Sequence, residues 1–566
     1  MTSQRARAGR WWAIAIVVVL SLVAASADAQ IAPIAPITAC TVAGIGATAL
    51  VTDDTPAIVA TILGVSTATA GSGATAVPYC LVKVLVPTAI NIWVGLPMDG
   101  KWNGRLQSLG GGGYAGSVSA PTAAVLGGYV GITTDTGHTG GSGTFGMLTA
   151  RSGSTPGTPN VPLQIDFAYR SEHLMAVMGK QLTQAFYGRG PEFSYWNGCS
   201  TGGRQGLRMA QDYPEDYDGI LAGAPAIHWD RFQAEQIWPQ VVQYRDNGGV
   251  IPTAKKQLAT AAAVAACDAD DGVVDGVLDD PRACTFDAMS LLCPRGVNDN
   301  TCLTATEASA INKIWHGATN ERGNKKLWFG QTRGTDLNGL GGTNPFGIAI
   351  AQPRFWVYFD PTWDWHILGY DNYEAFFEDT VRMVGPIMAS DNPDLSKFRD
   401  RGGKLVIWHG FADQLITPEG SIDYYDAVVK TLGGGYVHTK EFARLFMAPG
   451  VAHCGGGAGP QIQNQFGAVV NWVEHDVAPE TITASRPITL PNGAAGTRTR
   501  PLCPYPDVAV WTGQGSTDDA ANFVCQRGRD HYPHAKRQGQ LGPYRPAAGP
   551  GPDAQADAIA NGLAPQ

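Results

Sequence analysis

The sequence lacks an excess of positive charge: its 566 residues include 40 Lys and Arg against 49 Asp and Glu, for a net charge of −9. A nucleic-acid-binding protein needs a basic face, so this balance argues against that class. The chain also lacks internal repeats, and its one long apolar run lies at the N-terminus. A hydrophobic content of 44% is enough for a sizeable core and excludes a disordered or fibrous protein. The 71 Gly and 37 Pro indicate many loops and tight turns instead of a helical bundle.

The N-terminus has the three parts of a secretory signal peptide. A positively charged stretch ends at Arg10, an apolar run extends from Trp11 to Ala24, and Ala27-Asp28-Ala29 fits a cleavage site. An uncleaved membrane anchor is the alternative, but the run is short for a span of roughly 20 residues. We therefore expect residues 1–29 to be removed and the mature protein to be secreted or periplasmic. Its ten cysteines suit an oxidising compartment, where disulfides persist.

Apolar patterning along the chain predicts alternating strands and helices. Alternating apolar residues from Ile90 to Leu96 indicate one strand. Short apolar runs at Ile220–Gly223, Lys404–Trp408 and Leu445–Met447 indicate further buried strands. Together these elements are typical of a single α/β core.

A long irregular segment separates the two halves of this core. Between residues 226 and 395 the strand pattern gives way to cysteine pairs, glycine-rich turns and aromatic clusters. Insertions of this kind tend to lie over the C-terminal ends of the strands, where α/β proteins have their sites. We expect a first core part at 30–225, an inserted lid at 226–395, a second core part at 396–530 and a loose tail at 531–566.

Gly198-Cys199-Ser200-Thr201-Gly202 fits the G-x-S-x-G pattern of a nucleophile elbow. In such an elbow the serine lies on a strained turn between a strand and a helix, so small neighbours are needed and the hydroxyl is exposed. The context agrees, because we expect a short strand at Phe193–Trp196 and a helix at Gly203–Asp212. An ordinary glycine-rich turn is the alternative reading of this motif alone. The elbow makes Ser200 a candidate nucleophile and predicts an α/β-hydrolase core.

An acid and a base follow this serine in the order expected for such a core. Asp413 comes shortly after the strand Lys404–Trp408, and His453 lies in a loop after the next predicted strand. A serine hydroxyl is inert until an imidazole takes its proton, and a carboxylate fixes the tautomer of that imidazole. We therefore assign Ser200, His453 and Asp413 as nucleophile, base and orienting acid. His409 is the rival base, but it precedes the acid at a strand end, so we interpret it as structural.

Two cysteines flank these candidates in the sequence. Cys199 directly precedes Ser200, and Cys454 directly follows His453. If the serine and the histidine are hydrogen-bonded, their neighbours must also be close, so we predict a Cys199–Cys454 disulfide. Such a bridge would restrain the hydrogen-bond geometry that general-base catalysis requires. The alternative is that Cys199 is simply a small buried residue of the elbow.

An oxyanion hole is expected from two backbone N–H groups. In this fold one donor is the residue after the nucleophile, here Thr201, and the other comes from an early loop after a strand. Gly110–Gly113 is such a loop, and residues without Cβ let backbone N–H groups approach a substrate. We select Gly113 as the second donor, with a plain hairpin turn as the alternative.

Several motifs together resemble the tannase and feruloyl esterase family of serine hydrolases. They are Gly-Cys-Ser-Thr-Gly-Gly-Arg at 198–204, Tyr-Asp-Gly-Ile at 217–220, Ala-Gly-Ala-Pro at 222–225, His-Gly-Phe-Ala-Asp at 409–413 and Pro-Gly-Val-Ala-His-Cys at 449–454. The resemblance extends from about residue 80 to residue 525. It implies the same triad, oxyanion donors at Gly113 and Thr201, and cleavage of aromatic acid esters through an acyl-enzyme. The family includes tannases, feruloyl esterases and the hydrolase of mono(2-hydroxyethyl) terephthalate.

An acidic loop within the insertion has the composition of a calcium site. Residues 267–277 are dense in Asp and contain two Gly, and hard oxygen ligands on a turning loop suit Ca²⁺. The loop is not an EF-hand, because Val273 takes the sixth position and Asp279 the twelfth. A solvated acidic turn is the alternative. The resemblance implies a structural Ca²⁺ held by the side chains of Asp268, Asp271 and Asp275 and the carbonyls of Val273 and Val277.

The remaining eight cysteines cannot be paired by proximity in the sequence alone, because many pairings are possible. The resemblance favours one set. Its members are Cys40–Cys80, Cys267–Cys284, which brackets the acidic loop, Cys293–Cys302, and Cys503–Cys525, which would hold the C-terminal segment.

Aromatic residues crowd the insertion and suggest an apolar pocket for an aromatic acyl group. They are Trp328, Phe329, Phe346, Phe355, Trp356, Tyr358, Phe359, Trp363 and Trp365. For any one of them, a place in the insertion's own core is the alternative. No particular Arg in the insertion can be assigned to the free carboxylate of a terephthalate monoester, which favours ferulate or gallate esters. A different class of function, a catalytically silent, calcium-stabilised binding protein, is disfavoured by the intact triad.

Overall fold

The computed structural model describes residues 34–46, 49–87, 89–148, 157–490 and 492–528. The predicted signal peptide at 1–29 and the predicted tail at 531–566 lie outside these residues. Within the described ranges, no helix combines the length and the apolar character needed to cross a lipid bilayer.

Among the described residues, a nine-stranded sheet forms the centre of the fold. Its strands in chain order are β1 Thr61–Ala70, β2 Val77–Val86, β3 Ile90–Pro97, β4 Arg105–Leu109, β5 Val130–Thr134, β6 Phe193–Cys199, β7 Gly219–Gly223, β8 Lys404–Gly410 and β9 Ala443–Ala448. Their spatial order is β1-β2-β3-β5-β4-β6-β7-β8-β9. The pairs from β1 through β3 to β5 are antiparallel, and those from β5 to β9 are parallel. This mixed, mostly parallel sheet confirms the predicted α/β core.

Each strand predicted from apolar residues is present and longer than its pattern indicated. The strand predicted at Phe193–Trp196 continues as β6 to Cys199, because Asn197 pairs with Leu109 and Gly198 pairs with Ala222. Backbone ladders do not require apolar side chains, so polar residues at a strand end escape a search for hydrophobic runs. This extension carries β6 up to the predicted nucleophile.

The helices lie on both sides of the sheet and in the long insertion. They are α1 Val42–Ile45, α2 Thr122–Leu126, α3 Val161–Ile165, α4 Ser171–Tyr187, α5 Thr201–Asp212, α6 Trp229–Glu235, α7 Trp238–Asn247, α8 Thr253–Cys267, α9 Ala305–His316, α10 Gly347–Gln352, α11 Tyr373–Met388, α12 Ser396–Asp400, α13 Glu419–Leu432, α14 Gly435–Thr439 and α15 Gln465–His475. A π-helical turn at Asp166–Arg170 joins α3 to α4.

Alternate residues of the parallel strands enter two separate cores. Ile407 of β8 packs into the core shared with α4 and α5, whereas Val406 and Trp408 pack with Val469 and Trp472 of α15. Successive side chains of a strand point to opposite faces, so the apolar run in β8 serves both layers at once. The parallel half of the sheet is therefore covered on both faces.

The insertion joins the end of β7 at Gly223 to the start of β8 at Lys404 and contains α6 through α12. Sequence patterning indicated loops and cysteine pairs here and missed these helices. Several of them are short, and α8 is rich in alanine, so their hydrophobic periodicity is weak. The segment between Gly223 and Lys404 includes the expected bounds of 226 and 395, which stay a prediction.

The second core part ends in small antiparallel sheets. Gln461–Ile462 pairs with β10 Ile482–Thr489, which pairs with β11 Ala495–Leu502. β12 Asp507–Trp511 pairs with β13 Phe523–Arg527. A further short pair, Met147–Leu148 with Thr158–Pro159, lies in the first core part.

All the predicted disulfides are confirmed, and no free cysteine remains in the described part of the chain. The bonded pairs are Cys40–Cys80, Cys199–Cys454, Cys267–Cys284, Cys293–Cys302 and Cys503–Cys525. The first of them ties the N-terminal segment to β2, and the last ties the segment after β11 to β13.

Candidate active site

Ser200 lies on a sharp turn between β6 and α5. Its backbone has φ of 64° and ψ of −124°, a left-handed conformation that is rare for a residue with a side chain. A Cβ on Gly198 would lie 2.5 Å from the backbone of Gly202, so the glycine at this position is sterically required. These features are those of a nucleophile elbow.

The helix after Ser200 begins at Thr201, whereas the sequence predicted a start at Gly203. Glycine disfavours helix, which argues against placing Gly202 and Gly203 inside one. Tertiary packing decides otherwise, since a Cβ on Gly203 would lie 2.5 Å from the carbonyl oxygen of Gly223 at the end of β7. The early start brings the helix N-terminus directly to Ser200.

Asp413 and His453 follow the C-terminal ends of β8 and β9 and are hydrogen-bonded. His453 Nδ1 lies 2.8 Å from Asp413 Oδ2, and Asp413 is buried. The backbone N–H of His453 donates to Oε1 of Gln414 at 3.1 Å. This arrangement leaves Nε2 of His453 as the nitrogen available to a nucleophile.

His409 is fully buried in β8 and supports Asp413 from the other side. Its Nε2 lies 3.0 Å from Asp413 Oδ2, and its Nδ1 lies 2.7 Å from the hydroxyl of Ser421. Burial opposes ionisation of Asp413, but the two neighbouring imidazoles, His453 first, hold the pKa of this carboxyl below its usual range. The placement of His409 fits the structural role that we predicted for it.

The Cys199–Cys454 disulfide joins the residue before Ser200 to the residue after His453, with 6.0 Å between the two Cα atoms. Ser200 and His453 line one cavity, so the bridge holds together the loops that carry them. Among the described residues, no hydrogen bond joins the Ser200 hydroxyl to His453. Such contacts are often long without substrate and shorten in the reactive complex.

The predicted oxyanion donors are adjacent in space. The Thr201 hydroxyl donates to the carbonyl of Gly113 at 2.6 Å, and both residues line the cavity with Ser200. Gly113 has φ of 55°, a conformation that favours glycine. Within the described residues, the backbone N–H groups of Gly113 and Thr201 have no acceptor, so both are available to a developing oxyanion.

The cavity beside Ser200 has a volume of about 310 Å³ and a mostly apolar wall. One face of α6 and the residue after it supply Trp229, Phe232, Gln233 and Gln236. Ala226, Phe346, Ile348, Leu415 and Ile416 complete the wall around the catalytic candidates. Apart from His453, no titratable side chain is among these lining residues.

Sequence reasoning missed most of this wall. Of the nine aromatic residues singled out in the insertion, only Phe346 lines the cavity. Others, such as Trp328 and Trp356, are buried within the core. Trp229 and Phe232 are apolar residues at helical spacing in the segment after Gly223, and that periodicity is the signal that could have found them.

The acidic loop lies after α8, and the carboxylates of Asp268, Asp271 and Asp275 have partners within the protein. The Asp268 carboxylate accepts from the backbone N–H groups of Gly276 and Val277 at 2.9 and 3.1 Å. Asp275 binds the guanidinium of Arg500 at 2.6 Å. No three metal-binding side chains in the described ranges are arranged so that they could hold a metal ion. The donor types, carboxylates and carbonyls on a turning loop, still fit Ca²⁺, which stays a prediction.

This loop packs against the loop that carries His453. A Cβ on Gly450 would lie 2.8 Å from Cγ1 of Val277, so the two segments are in direct contact. The contact is with Gly450, three residues before His453, and the acidic loop itself does not line the cavity with Ser200.

This chain is similar in sequence to members of one protein family. A model of the family described as "Tannase and feruloyl esterase" matches residues 79–526. A probable feruloyl esterase of Arthroderma benhamiae is 37% identical over 456 residues, which cover 77% of this chain and 82% of that protein. A mono(2-hydroxyethyl) terephthalate hydrolase of Piscinibacter sakaiensis is 30% identical over 511 residues, which cover 76% of this chain and 80% of that protein.

A solved structure gives the same result. Feruloyl esterase B from Aspergillus oryzae superimposes with a TM-score of 0.71 at 27% identity, covering 82% of this chain and 97% of that one. The similarity therefore includes the fold as well as the sequence.

Proposed function

This chain belongs to the tannase and feruloyl esterase family, and we propose that it hydrolyses esters of phenolic acids such as ferulate or gallate through a Ser200–His453–Asp413 triad. That it is a carboxylic ester hydrolase follows from the family match and from relatives described as feruloyl esterases. These relatives do not favour the alternative of a catalytically silent binding protein.

The proposed reaction proceeds through an acyl-enzyme. His453 takes the proton of Ser200 as its oxygen attacks the ester carbonyl, and Asp413 holds the imidazole and stabilises its charged form. The N–H groups of Gly113 and Thr201 bind the oxyanion of the tetrahedral intermediate. His453 then protonates the leaving alcohol, and a water activated by the same imidazole releases the acid.

The residues that line the cavity indicate which substrate class it favours. No Asp, Glu, Lys or Arg is among the residues that line it. A free carboxylate placed there would lose its hydration without gaining a partner, whereas a phenolic ring would bury apolar area. This observation supports ferulate or gallate esters over a terephthalate monoester, the substrate in the name of the Piscinibacter sakaiensis relative.

We propose that the insertion acts as a lid over this cavity. The α6 region supplies Trp229, Phe232 and Gln236, and the start of α10 supplies Ile348, next to Phe346. These residues face the loops that carry Ser200 and His453. The insertion would thus bind the acyl group while the core provides the chemistry.

A matched substrate pair tests the role of charge. Mono(2-hydroxyethyl) terephthalate and its neutral methyl ester differ only at the carboxylate remote from the scissile bond. We expect kcat/KM for the neutral ester to be higher by roughly tenfold or more, because an unpaired buried charge is costly. Methyl ferulate and methyl gallate, measured in parallel, should also exceed the monoester. If the charged monoester were the best substrate, the phenolic assignment would be wrong.

Calcium is proposed as a structural ion of the acidic loop. The side chains of Asp268, Asp271 and Asp275 and the carbonyls of Val273 and Val277 would hold it, and it would supply charge neutralisation. Chelation should lower the melting temperature, because a ligand bound only to the folded state stabilises it by mass action. Activity at low temperature should change little, since the loop does not line the cavity with Ser200. Differential scanning calorimetry with metal analysis tests this, and an unchanged melting temperature after verified metal loss would contradict it.

We also propose that the protein works outside the cytoplasm. Five disulfides within the described residues support an oxidising compartment, where such bonds persist. The predicted signal peptide would direct the chain there.

A further inference from the structure

Two consecutive hydrogen bonds, the first part-buried and the second buried, connect the Gly110–Gly113 loop to the interior of the core. The backbone N–H of Gly111 donates to Oε1 of Gln205 at 2.9 Å. Nε2 of the same Gln205 donates to the carboxyl of Glu172 on α4. Gln205 and Glu172 are 1% and 0% exposed, so water does not compete for the bond between them, whereas the bond to Gly111 is part-buried.

Gln205 lies on α5, one turn beyond Thr201, directly under the Gly110–Gly113 loop. A Cβ on Gly110 would lie 2.5 Å from Cα of Gly202 and 3.2 Å from Oε1 of Gln205. At Gly110 the loop backbone therefore rests on this helix with no room for a side chain. Three hydrogen bonds attach the loop to its surroundings. The N–H of Gly110 donates to the carbonyl of Asn197, and the N–H of Gly111 donates to Gln205. The Thr201 hydroxyl donates to the carbonyl of Gly113.

Glu172 determines which way the Gln205 amide faces. An ionised carboxylate only accepts hydrogen bonds, so it must meet the NH₂ group, and Oε1 must then face Gly111. The Ser171 hydroxyl lies 3.1 Å from Oε2 of Glu172 and helps to hold it. Burial raises the pKa of Glu172 to about 7, and the Arg204 guanidinium opposes that rise. In either protonation state one carboxyl oxygen remains able to accept from Gln205.

We propose that Gln205, oriented by Glu172, is a positioning residue that holds the N–H of Gly113 toward the oxyanion of the reacting ester. Gln205 does not line the cavity, so it acts through the loop and not through contact with substrate. This inference rests on the proposed triad mechanism and adds to it the support that fixes one oxyanion donor.

Gln205→Leu should reduce kcat while leaving KM almost unchanged. Loss of an oxyanion-hole donor typically costs 10²- to 10³-fold, and a displaced donor should cost less, on the order of 10- to 100-fold. An interaction made only in the transition state affects kcat and kcat/KM equally. Gln205→Glu keeps an acceptor for Gly111 and should remain within about threefold of wild type, with one proton shared between the two carboxyls.

Gln211→Leu is the matched control, because Gln211 is a buried glutamine of the same helix. Its Nε2 donates to the carbonyl of Ser390 and the hydroxyl of Tyr424, away from the loop. Both leucine variants lose buried hydrogen bonds, so both should lose stability, but only Gln205→Leu should lose kcat. An aryl trifluoromethyl ketone, which forms a tetrahedral oxyanion on serine, should bind Gln205→Leu more weakly by the same factor, whereas ferulic acid should bind both variants alike.

Equal losses of kcat in the two leucine variants, or a kcat for Gln205→Leu within about twofold of wild type, would overturn the proposal. Should Gln205→Leu fail to fold, Gln205→Met gives a second test. Met is close to Gln in size and also leaves the N–H of Gly111 without its acceptor, so kcat should fall on the order of 10- to 100-fold. An unchanged kcat in Gln205→Met would then be decisive against the proposal. A wild-type protein without esterase activity would instead refute the proposed function.

Discussion

Replacing Ser200 with Ala is expected to reduce ester turnover on the order of 10⁴- to 10⁶-fold while the protein stays folded and exported. Ser200 occupies the strained turn between β6 and α5 and lines the cavity with His453. Its hydroxyl makes no hydrogen bond to any described residue, so its removal breaks none of the hydrogen bonds among them. The effect should therefore fall on chemistry and not on stability.

The measurement is the hydrolysis of a p-nitrophenyl ester, with the melting temperature determined on the same preparation. Ser194→Ala is a suitable control, because Ser194 is a buried serine of the same strand, β6, and lies outside the cavity. That variant should keep kcat close to the wild-type value. Retention of more than about a tenth of wild-type activity by a clean Ser200→Ala preparation would remove Ser200 from its assigned role.

Replacing Cys199 and Cys454 together by Ala is expected to lower activity by roughly 100-fold, because a misplacement of about 1 Å can cost that much in rate. The two cysteines are 255 residues apart in the sequence, and their bridge connects the elbow at Ser200 to the loop that carries His453. Cys454 has φ of 58° and Ser200 has φ of 64°, so backbone on both sides is held in the left-handed region. Without the bridge these strained segments can relax and separate the serine from the imidazole.

Stability should fall as well, since a disulfide that closes a long loop is typically worth about 2–4 kcal/mol. The comparison that isolates the catalytic effect is the double variant of Cys503 and Cys525, a pair absent from the cavity wall. Both double variants should unfold at lower temperature, but only the first should lose kcat in its folded fraction. Equal kcat values for the two would show that the bridge has no part in holding the triad. Peptide mapping should find no free Cys199 thiol in the oxidised protein.

The candidate catalytic residues could be selected from the sequence because their signals are local and steric. At Gly198 the backbone passes so close to α5 that only glycine fits, and this requirement is visible in the sequence as the elbow pattern. The order of Ser200, Asp413 and His453 follows from the order of parallel strands, since the ends of such strands meet at one edge of a sheet. The cysteines beside two of these residues then predicted a contact across the fold.

The substrate wall could not be predicted in the same way. Aromatic content in the insertion pointed to nine residues, yet only Phe346 lines the cavity. Burial and pocket lining require the same apolar side chains, so composition cannot separate them. Which face of α6 meets Ser200 depends on how the whole insertion packs on the core.

The sequence by itself determined the family, the α/β core, the candidate triad and the bridge beside it, because glycine sterics, strand hydrophobicity and motif order are properties of short segments. Only the tertiary structure decided that Asp413 is shared by His453 and His409 and that Gln205 links the Gly110–Gly113 loop to Glu172. It also decided that no Asp, Glu, Lys or Arg is among the described residues that line the cavity. The physical reason is that these are hydrogen bonds and contacts between distant segments, and their geometry exists only once the layers have packed.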